Sequence, residues 1–360
     1  MSEIHTETPE LRLLFWESTA RCNLHCAHCR RLDVTDQVAR TDLTRPQARA
    51  LIDSASALGG RAKPIFVFSG GEPLLRSDWQ ELGLHARQAG LMTALATNGT
   101  LIDPATADRI AQAGFHRVSI SIDAPQADTH DSFRGMAGAF ASALAGIAAL
   151  RAAGVPVQIN MTIYAGNADQ LQAVYDLARN AGAAALHLFV LVPVGCGLEI
   201  ADSQQLSAAQ CEAVLKWIVQ RHAEGPLELK ATCAPQFYRL ARQWLRDNPD
   251  HGGAERVKAM LRGRGCLAGT GVIFVSHAGE VFPCGYFPAG CGNVLVEGLE
   301  RIWRESPVLA ELRRFRALEG KCGVCEYKMI CGGCRARGYH LTGRLMADDP
   351  TCPHQPAPAR

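Results

Sequence analysis

The sequence lacks any marked imbalance of charge. Its 37 Lys and Arg meet 35 Asp and Glu, for a net charge of +2. That balance leaves no electrostatic footprint for nucleic acid. There is no apolar run of membrane-spanning length, which excludes a membrane span. The first residues, Met1 to Leu11, are polar and acidic, so they read as neither a signal nor a transit peptide. Internal repeats are missing, and the only biased segment is the Pro-rich tail after Cys352. The expectation is a cytoplasmic protein. Hydrophobic residues make up 48% and charged residues 20% of the 360 positions. Such a chain can build a large core, and wholesale disorder is excluded. Its length fits two domains, or one α/β barrel with an appendage.

Cysteine is absent from Arg30 to Gly195, yet the chain holds 14 of them. Three crowd together as Cys22, Cys26 and Cys29, and eight fall between Cys266 and Cys352. Buried structural thiols would scatter through a core. In a reducing compartment, two clusters flanking an empty stretch point to two metal regions rather than to disulfides.

The empty stretch alternates between strand and helix patterns. Strand-like runs are Leu11–Thr19, Pro64–Phe68, Leu91–Thr97, Val118–Ile122, Val155–Ile163 and Leu186–Val192. Helical spacing fills the intervals, and Thr44 reads as an N-cap ahead of Pro46. Six β/α units imply a parallel sheet with helices outside, as a partial barrel or an open sheet rather than a complete eight-fold barrel. Ligands are expected at the C-terminal strand ends. Later, 208–221 and 236–246 read as helices, and Val272–Ser276 with Glu280–Phe282 as a hairpin around Ala278-Gly279. The predicted organisation is a tail over 1–10, a core over 11–200, a helical linker over 201–264 and a cysteine-rich extension over 265–360. That last region has too little apolar periodicity to hold itself together well, and metal centres would supply the missing stabilisation.

Four motifs carry chemistry. Cys22-Asn23-Leu24-His25-Cys26-Ala27-His28-Cys29 is a C-x3-C-x2-C triplet following a strand. Three thiolates on one tight loop can hold three irons of a 4Fe–4S cluster and leave the fourth open. The alternative is zinc, with His25 or His28 as a fourth ligand. Ser69-Gly70-Gly71-Glu72-Pro73 follows the second strand, where glycines let a ligand approach the backbone. Thr97-Asn98-Gly99 ends the third strand, and Ser119-Ile120-Ser121-Ile122-Asp123 ends the fourth. Polar residues there can meet a ribose hydroxyl.

Together these motifs resemble the radical SAM superfamily over Leu11 to Val194. The resemblance implies a partial (β/α)6 barrel and a 4Fe–4S cluster on Cys22, Cys26 and Cys29. The open iron would take the amino and carboxylate groups of S-adenosylmethionine, whose reductive cleavage gives a 5′-deoxyadenosyl radical. The backbone of Ser69, Gly70, Gly71 and Glu72 would hold the methionine amino group. Asn98, Ser121 and Asp123 are the candidates for the ribose and carboxylate contacts, and Arg134 for the methionine carboxylate. The C-terminal cysteines resemble the SPASM extension. By that likeness Cys322, Cys325, Cys331 and Cys352 would hold one auxiliary cluster. Cys266, Cys284 and Cys334 would serve a second, whose fourth ligand is missing just upstream of Cys266. Cys233 or Cys291 could fill it, or that iron could be open to substrate. A zinc ribbon on Cys322, Cys325, Cys331 and Cys334 is the competing arrangement. Cys196 and Cys211 read as ordinary thiols.

Further segments narrow the family. Lys230 to Arg239, Cys325-Glu326-Tyr327, Cys331 to Arg337 and Leu188 to Gly195 resemble the tetrapyrrole-modifying radical SAM proteins. That group includes 12,18-didecarboxysiroheme deacetylase, the haem d1 biosynthesis enzyme of the NirJ type and haem b synthase, with the resemblance leaning to the first two. It implies removal of acetate or propionate side chains from a siroheme-derived iron tetrapyrrole. It also implies an electron donor such as flavodoxin or ferredoxin. Arg21, Arg30, Arg31, Arg134, Lys230 and Arg239 are available for substrate carboxylates, and His25, His28, His187 and His277 for its iron. Two other readings stand beside this one: a SPASM maturase acting on a peptide, and an iron–sulfur electron-transfer protein.

Overall fold

The structure is a computed structural model that describes residues 9–31, 36–60, 62–261 and 263–356. Residues 1–8 of the expected tail lie outside it. Six strands follow the predicted order: β1 Leu13–Glu17, β2 Ile65–Ser69, β3 Met92–Thr97, β4 Arg117–Ser121, β5 Val157–Ile163 and β6 Ala185–Val190. Each pairs in parallel with the next, so sequence order is also sheet order. This is the six-unit parallel core that the alternation implied.

The sheet continues past both ends of that core. β7 (Glu228–Thr232) adds in parallel to β6, inside the stretch read from sequence as a helical linker. Its polar sequence ELKAT, exposed at alternate positions, hides an edge strand from any hydrophobicity pattern. At the other end β8 (Val272–Val275) pairs in parallel with β1. β9 (Glu280–Phe282) and β10 (Gly292–Asn293) follow it antiparallel, as the predicted hairpin required. The cysteine-rich extension is thus joined to the core through the sheet itself.

Strand alternation sorts the two faces. Trp16, Phe66 and Phe68 are fully buried towards the helices. Trp16 meets Phe68 at 5.5 Å and Phe68 meets Phe115 at 5.3 Å, both edge-on. Ala48, Leu51, Ile52 and Ala55 form the buried stripe of the helix Arg45–Ala57. That helix begins at Thr44, whose N–H donates to Gln47 Oε1 at 2.9 Å. The opposite face of β4 to β7 carries Ser119, Ser121, Gln158, Asn160, His187 and Lys230, in adjacent register. It is a polar inner wall in a barrel whose outer wall is aliphatic. Among the described residues no single helix is long and apolar enough to cross a membrane.

One core cluster contains Leu14, Leu95 and Ile159 of the barrel together with Ile273, Trp303 and Leu309 of the extension. Barrel and extension therefore share their apolar burial. Truncating Ile273, fully buried on β8, to Ala is expected to cost about 2–5 kcal/mol. Far-ultraviolet circular dichroism and tryptophan fluorescence should follow a single denaturant transition; separate transitions for the two regions would contradict the shared core.

Candidate functional site

The cysteine triplet lies on the loop leaving the C-terminal end of β1. Its shape is set by backbone contacts. Gly71 N–H donates to Thr19 O at 2.9 Å and Glu72 N–H to Arg21 O at 2.7 Å. A Cβ on Gly71 would stand 2.1 Å from Arg21 O, so only glycine lets the two turns close on each other. At the far end Cys196 N–H donates to Cys29 O at 2.8 Å. Gly195 there has a φ of +56°, and its Cβ position falls 2.3 Å from the Arg30 carbonyl. Asn23, inside the triplet, bridges to the third strand end through Thr100 and Asn98 at 2.8 and 2.9 Å.

The thiols suit a metal centre. Burial pushes Cys22 up to about 12, with the charges of Glu72, Cys26 and Cys29 adding to the rise. Cys26 is raised by burial as well, opposed by Arg134, whose Nη1 stands 3.8 Å from the sulfur. Thiols in such surroundings ionise when a metal supplies positive charge. Among the described residues, Cys325, Glu326 and His354 are the one trio whose ligand atoms lie within 4.8 Å of one another. A zinc tetrahedron gathers its sulfurs to roughly 3.8 Å, from bonds of about 2.3 Å. The triplet is more open than that, and a cluster with a separate iron for each thiolate fits it. His28 does not complete a zinc site with it. Its ring stacks on Phe133 at 4.3 Å, its Nδ1 is buried without a hydrogen-bond partner, and burial depresses it to about 3.

The strand-end candidates converge around the triplet, and several of their side chains already have partners. Glu72 is fully buried and accepts from Thr97 Oγ1 and Asn98 N–H, both at 2.8 Å, and from Leu74 N–H at 3.1 Å. It locks the second strand end to the third. The Asn98 side chain is held by Asn23, Thr100 N–H and Thr100 Oγ1. Asp123 is fully buried; its carboxylate takes Arg134 Nε at 2.5 Å and Thr162 N–H at 2.8 Å. Although burial pushes Asp123 up, Arg134 and nearby His28 hold it below the usual range. The geometry makes Asp123 a holder of Arg134, whose Nη1 faces Cys26 of the triplet. Ser121 stays partly exposed at the end of β4.

The C-terminal thiols form two groups. Cys322, Cys325, Cys331 and Cys352 line one small cavity with Arg239. Backbone N–H groups aim at their sulfurs, from Tyr327 to Cys325 at 3.4 Å and from Gly333 to Cys331 at 3.5 Å. Cys334 does not line that cavity; it is buried in an apolar cluster against which Cys233, Cys284 and Cys322 pack. Cys266 joins through its N–H to Cys331 O at 3.1 Å. Cys211 is buried in the main core, and the Cys196 thiol donates to Arg31 O at 3.0 Å.

Most of the proposed substrate cations are committed to carboxylates. Arg30 and Arg31 both pair with Glu17, whose second oxygen accepts from His277 Nδ1 at 2.8 Å. Burial pushes Glu17 up, but Arg30, His277 and Arg31 outweigh it and hold the group far below the usual carboxylate range. Arg239 pairs with Glu212. His25 is exposed, and His187 is a neutral ring with its Nε2 buried and unpartnered. Lys230 is exposed on the inner side of β7, in register with His187. Asn23 and Thr97 stand inside the chemistry-bearing motifs without a role of their own there, and Glu17 stands outside them, its one signal being a carboxylate at the end of the apolar strand LLFWE.

Glu72 and the buried histidines give opposite pH dependences. Burial pushes Glu72 up to about 7, against its hydrogen bonds. A folded pKa above the unfolded one means stability is gained as pH falls through about 7. His28 and His187 are depressed to about 3 by burial, so stability is lost as pH falls below their ordinary 6.5. Between pH 5 and 8 the metal-free wild type should therefore lose stability relative to Glu72→Gln, with most of the loss complete by about pH 7. Denaturant midpoints of the two proteins across the range check this; a difference that does not change with pH would contradict it.

The comparisons with known proteins agree with this geometry. The family model "Radical SAM superfamily" matches residues 16–178, and "Iron-sulfur cluster-binding domain" (SPASM) matches 266–334. The AdoMet-dependent heme synthase of Methanosarcina barkeri is 44% identical, over 96% of this chain and 97% of that one. That of Oleidesulfovibrio alaskensis is 42% identical, over 97% and 89%. The pre-heme d1 synthase of Dinoroseobacter shibae is 36% identical, over 94% and 85%. Among solved structures, anSMEcpe with bound AdoMet superposes with a TM-score of 0.71 at 18% identity, covering 95% and 94% of the two chains. The fold is thus that of an enzyme that binds S-adenosylmethionine, a 4Fe–4S cluster and auxiliary iron–sulfur clusters. The chain belongs to the radical SAM enzymes with a SPASM extension, in the tetrapyrrole-modifying group that holds the heme and pre-heme d1 synthases.

Proposed function

We propose that this enzyme acts in haem formation in the cytoplasm, converting propionate side chains of an iron tetrapyrrole to vinyl groups. The observation that carries the reading is near-full-length identity of 41–44% to three proteins named heme synthase. These relatives shift the assignment away from the deacetylase and haem d1 members towards which single segments leaned. Per side chain, carbon dioxide leaves, one hydrogen atom would pass to the deoxyadenosyl radical and one electron to an auxiliary iron–sulfur cluster, and a vinyl group remains.

Cys22, Cys26 and Cys29 would hold the cluster, which with S-adenosylmethionine supplies the deoxyadenosyl radical that takes up the hydrogen atom. The remaining tasks fall to the chain. The Ser69–Glu72 backbone would receive the methionine amino group, and Arg134, oriented by Asp123, the methionine carboxylate. Asn98 would contribute through its backbone, since its side chain is held in the turn. The inner wall of Ser121, Asn160, His187 and Lys230 would face the tetrapyrrole, with Lys230 as a point charge for a carboxylate. Cys322, Cys325, Cys331 and Cys352 would hold one auxiliary cluster and Cys266, Cys284 and Cys334 serve a second. A flavodoxin or ferredoxin would be the external electron donor.

A second reading is the pre-haem d1 branch, favoured by the 36% relative. The peptide-maturase reading has a mycofactocin maturase and a PqqA peptide cyclase behind it, each 31% identical. The assay uses anaerobically reconstituted enzyme, S-adenosylmethionine and a reductant, with iron coproporphyrin III or 12,18-didecarboxysiroheme. Mass spectrometry should find vinyl products from the first substrate. Loss of whole propionates from the second would transfer the enzyme to the haem d1 branch, and loss of acetates to the deacetylase. Both tetrapyrroles unchanged beside new 5′-deoxyadenosine would turn the search to peptides. Lys230→Ala should raise the apparent KM for the tetrapyrrole by roughly tenfold, about the worth of one charged contact, without blocking reductive cleavage of S-adenosylmethionine.

A further inference from the structure

The residues just before Cys266, from Lys258 to Gly265, contain no cysteine. Three thiols in the second C-terminal group would leave one iron of a cluster without a cysteine. The tertiary structure brings a fourth thiol to that group from outside the SPASM match. Cys233 directly follows β7, in the turn that leads into the helix Gln236–Asp247. Two residues on, Pro235 is in contact with Gly265: a Cβ added there would fall 2.8 Å from Pro235 Cβ and 2.6 Å from Cys331 O. The residue next to Gly265 is Cys266, tied to Cys331 O through its N–H. Cys233 and Cys284 pack against the cluster that contains buried Cys334. Arg337, on the helix that Cys334 caps, donates from Nη2 to Cys233 O at 3.1 Å.

The backbone at Cys233 is itself unusual. Its φ of +59° is the one positive value at a non-glycine position among the described residues. A left-handed conformation is unfavourable for a side chain with a Cβ, and such outliers gather where function holds them. The rival Cys291 is elsewhere. Its thiol donates to Ala289 O at 3.8 Å, and it is buried in the main core rather than in the cluster that holds Cys334.

We infer that Cys233 is the fourth ligand of the second auxiliary cluster, closing it with Cys266, Cys284 and Cys334. The ligand comes from the strand that widens the barrel, so the cluster ties β7 to the extension. The thiol loses its proton on binding iron, and the closed set leaves this cluster no open iron for substrate. The inference rests on the reading of a second cluster proposed above.

The test uses full-length chain with Cys22, Cys26 and Cys29 all changed to Ala, which leaves the auxiliary sites alone. Reconstituted anaerobically, it should hold about eight irons as two 4Fe–4S clusters. Adding Cys233→Ser should lower the iron count or yield a three-iron cluster, seen by electron paramagnetic resonance after mild oxidation. Adding Cys291→Ser should change neither. About four irons in the starting protein would remove the second cluster itself. About eight irons with an unchanged spectrum in the Cys233→Ser protein would overturn only the ligand assignment. If the serine variant fails to fold, alkylation of the otherwise unsubstituted protein decides. Cys233 should be protected in the holoprotein and become modified on iron chelation together with Cys266, Cys284 and Cys334; any other pattern overturns the assignment.

Discussion

The burial of cysteine thiols is the constraint on which the rest of this structure depends. Burial raises thiols at Cys22, Cys26, Cys331 and Cys334, so the fold alone favours the protonated form. A metal reverses that preference, and its binding free energy becomes folding free energy. The C-terminal region shows the consequence. Its helices are short, such as Leu299–Glu305, Pro307–Leu312 and Gly320–Val324, and β10 has two residues. Such elements order around fixed points rather than by propensity.

Around those points the backbone is closed by polar links. Glu17 gathers Arg30, Arg31 and His277, so one carboxylate fastens the end of the triplet loop to the hairpin of the extension. Glu72 fastens the second strand end to the third. Asp123 fastens Arg134 beside Cys26. All three carboxylates are essentially fully buried. Removing either partner of the buried Asp123–Arg134 pair leaves an uncompensated buried charge, a loss of about 3–5 kcal/mol. Their role is to hold geometry, which a radical reaction needs because a reactive species must meet one hydrogen atom and no other.

Tyr286 packs with Cys233 and Cys284 against the cluster that holds Cys334. Arg30, just past the triplet, stacks over Phe274 of β8 at 4.1 Å, so the extension lies beside the triplet loop. That proximity follows from β8 pairing with β1, which seats the extension beside the strand that carries the triplet.

Strong local periodicity made the core legible. The six parallel strands and the hairpin follow from apolar runs bounded by turns, and the triplet, the Gly-Gly turn and the grouping of cysteines stand in the residues themselves. β7 was not legible, because an edge strand with Lys230 and Glu228 on its open face carries no hydrophobic signal. Nor could spacing tell that Asp123 serves Arg134, that Glu72 serves Asn98, or that most of the arginines offered to a substrate are paired within the chain. These are contacts between residues far apart in sequence, fixed by sheet register. The chemistry was readable along the chain: three thiols on one loop, motifs of an S-adenosylmethionine enzyme and an extension rich in cysteine. Which residues become neighbours was not, because Cys233 and Cys284 reach the apolar cluster that holds Cys334 through strand pairing and burial rather than through proximity along the chain.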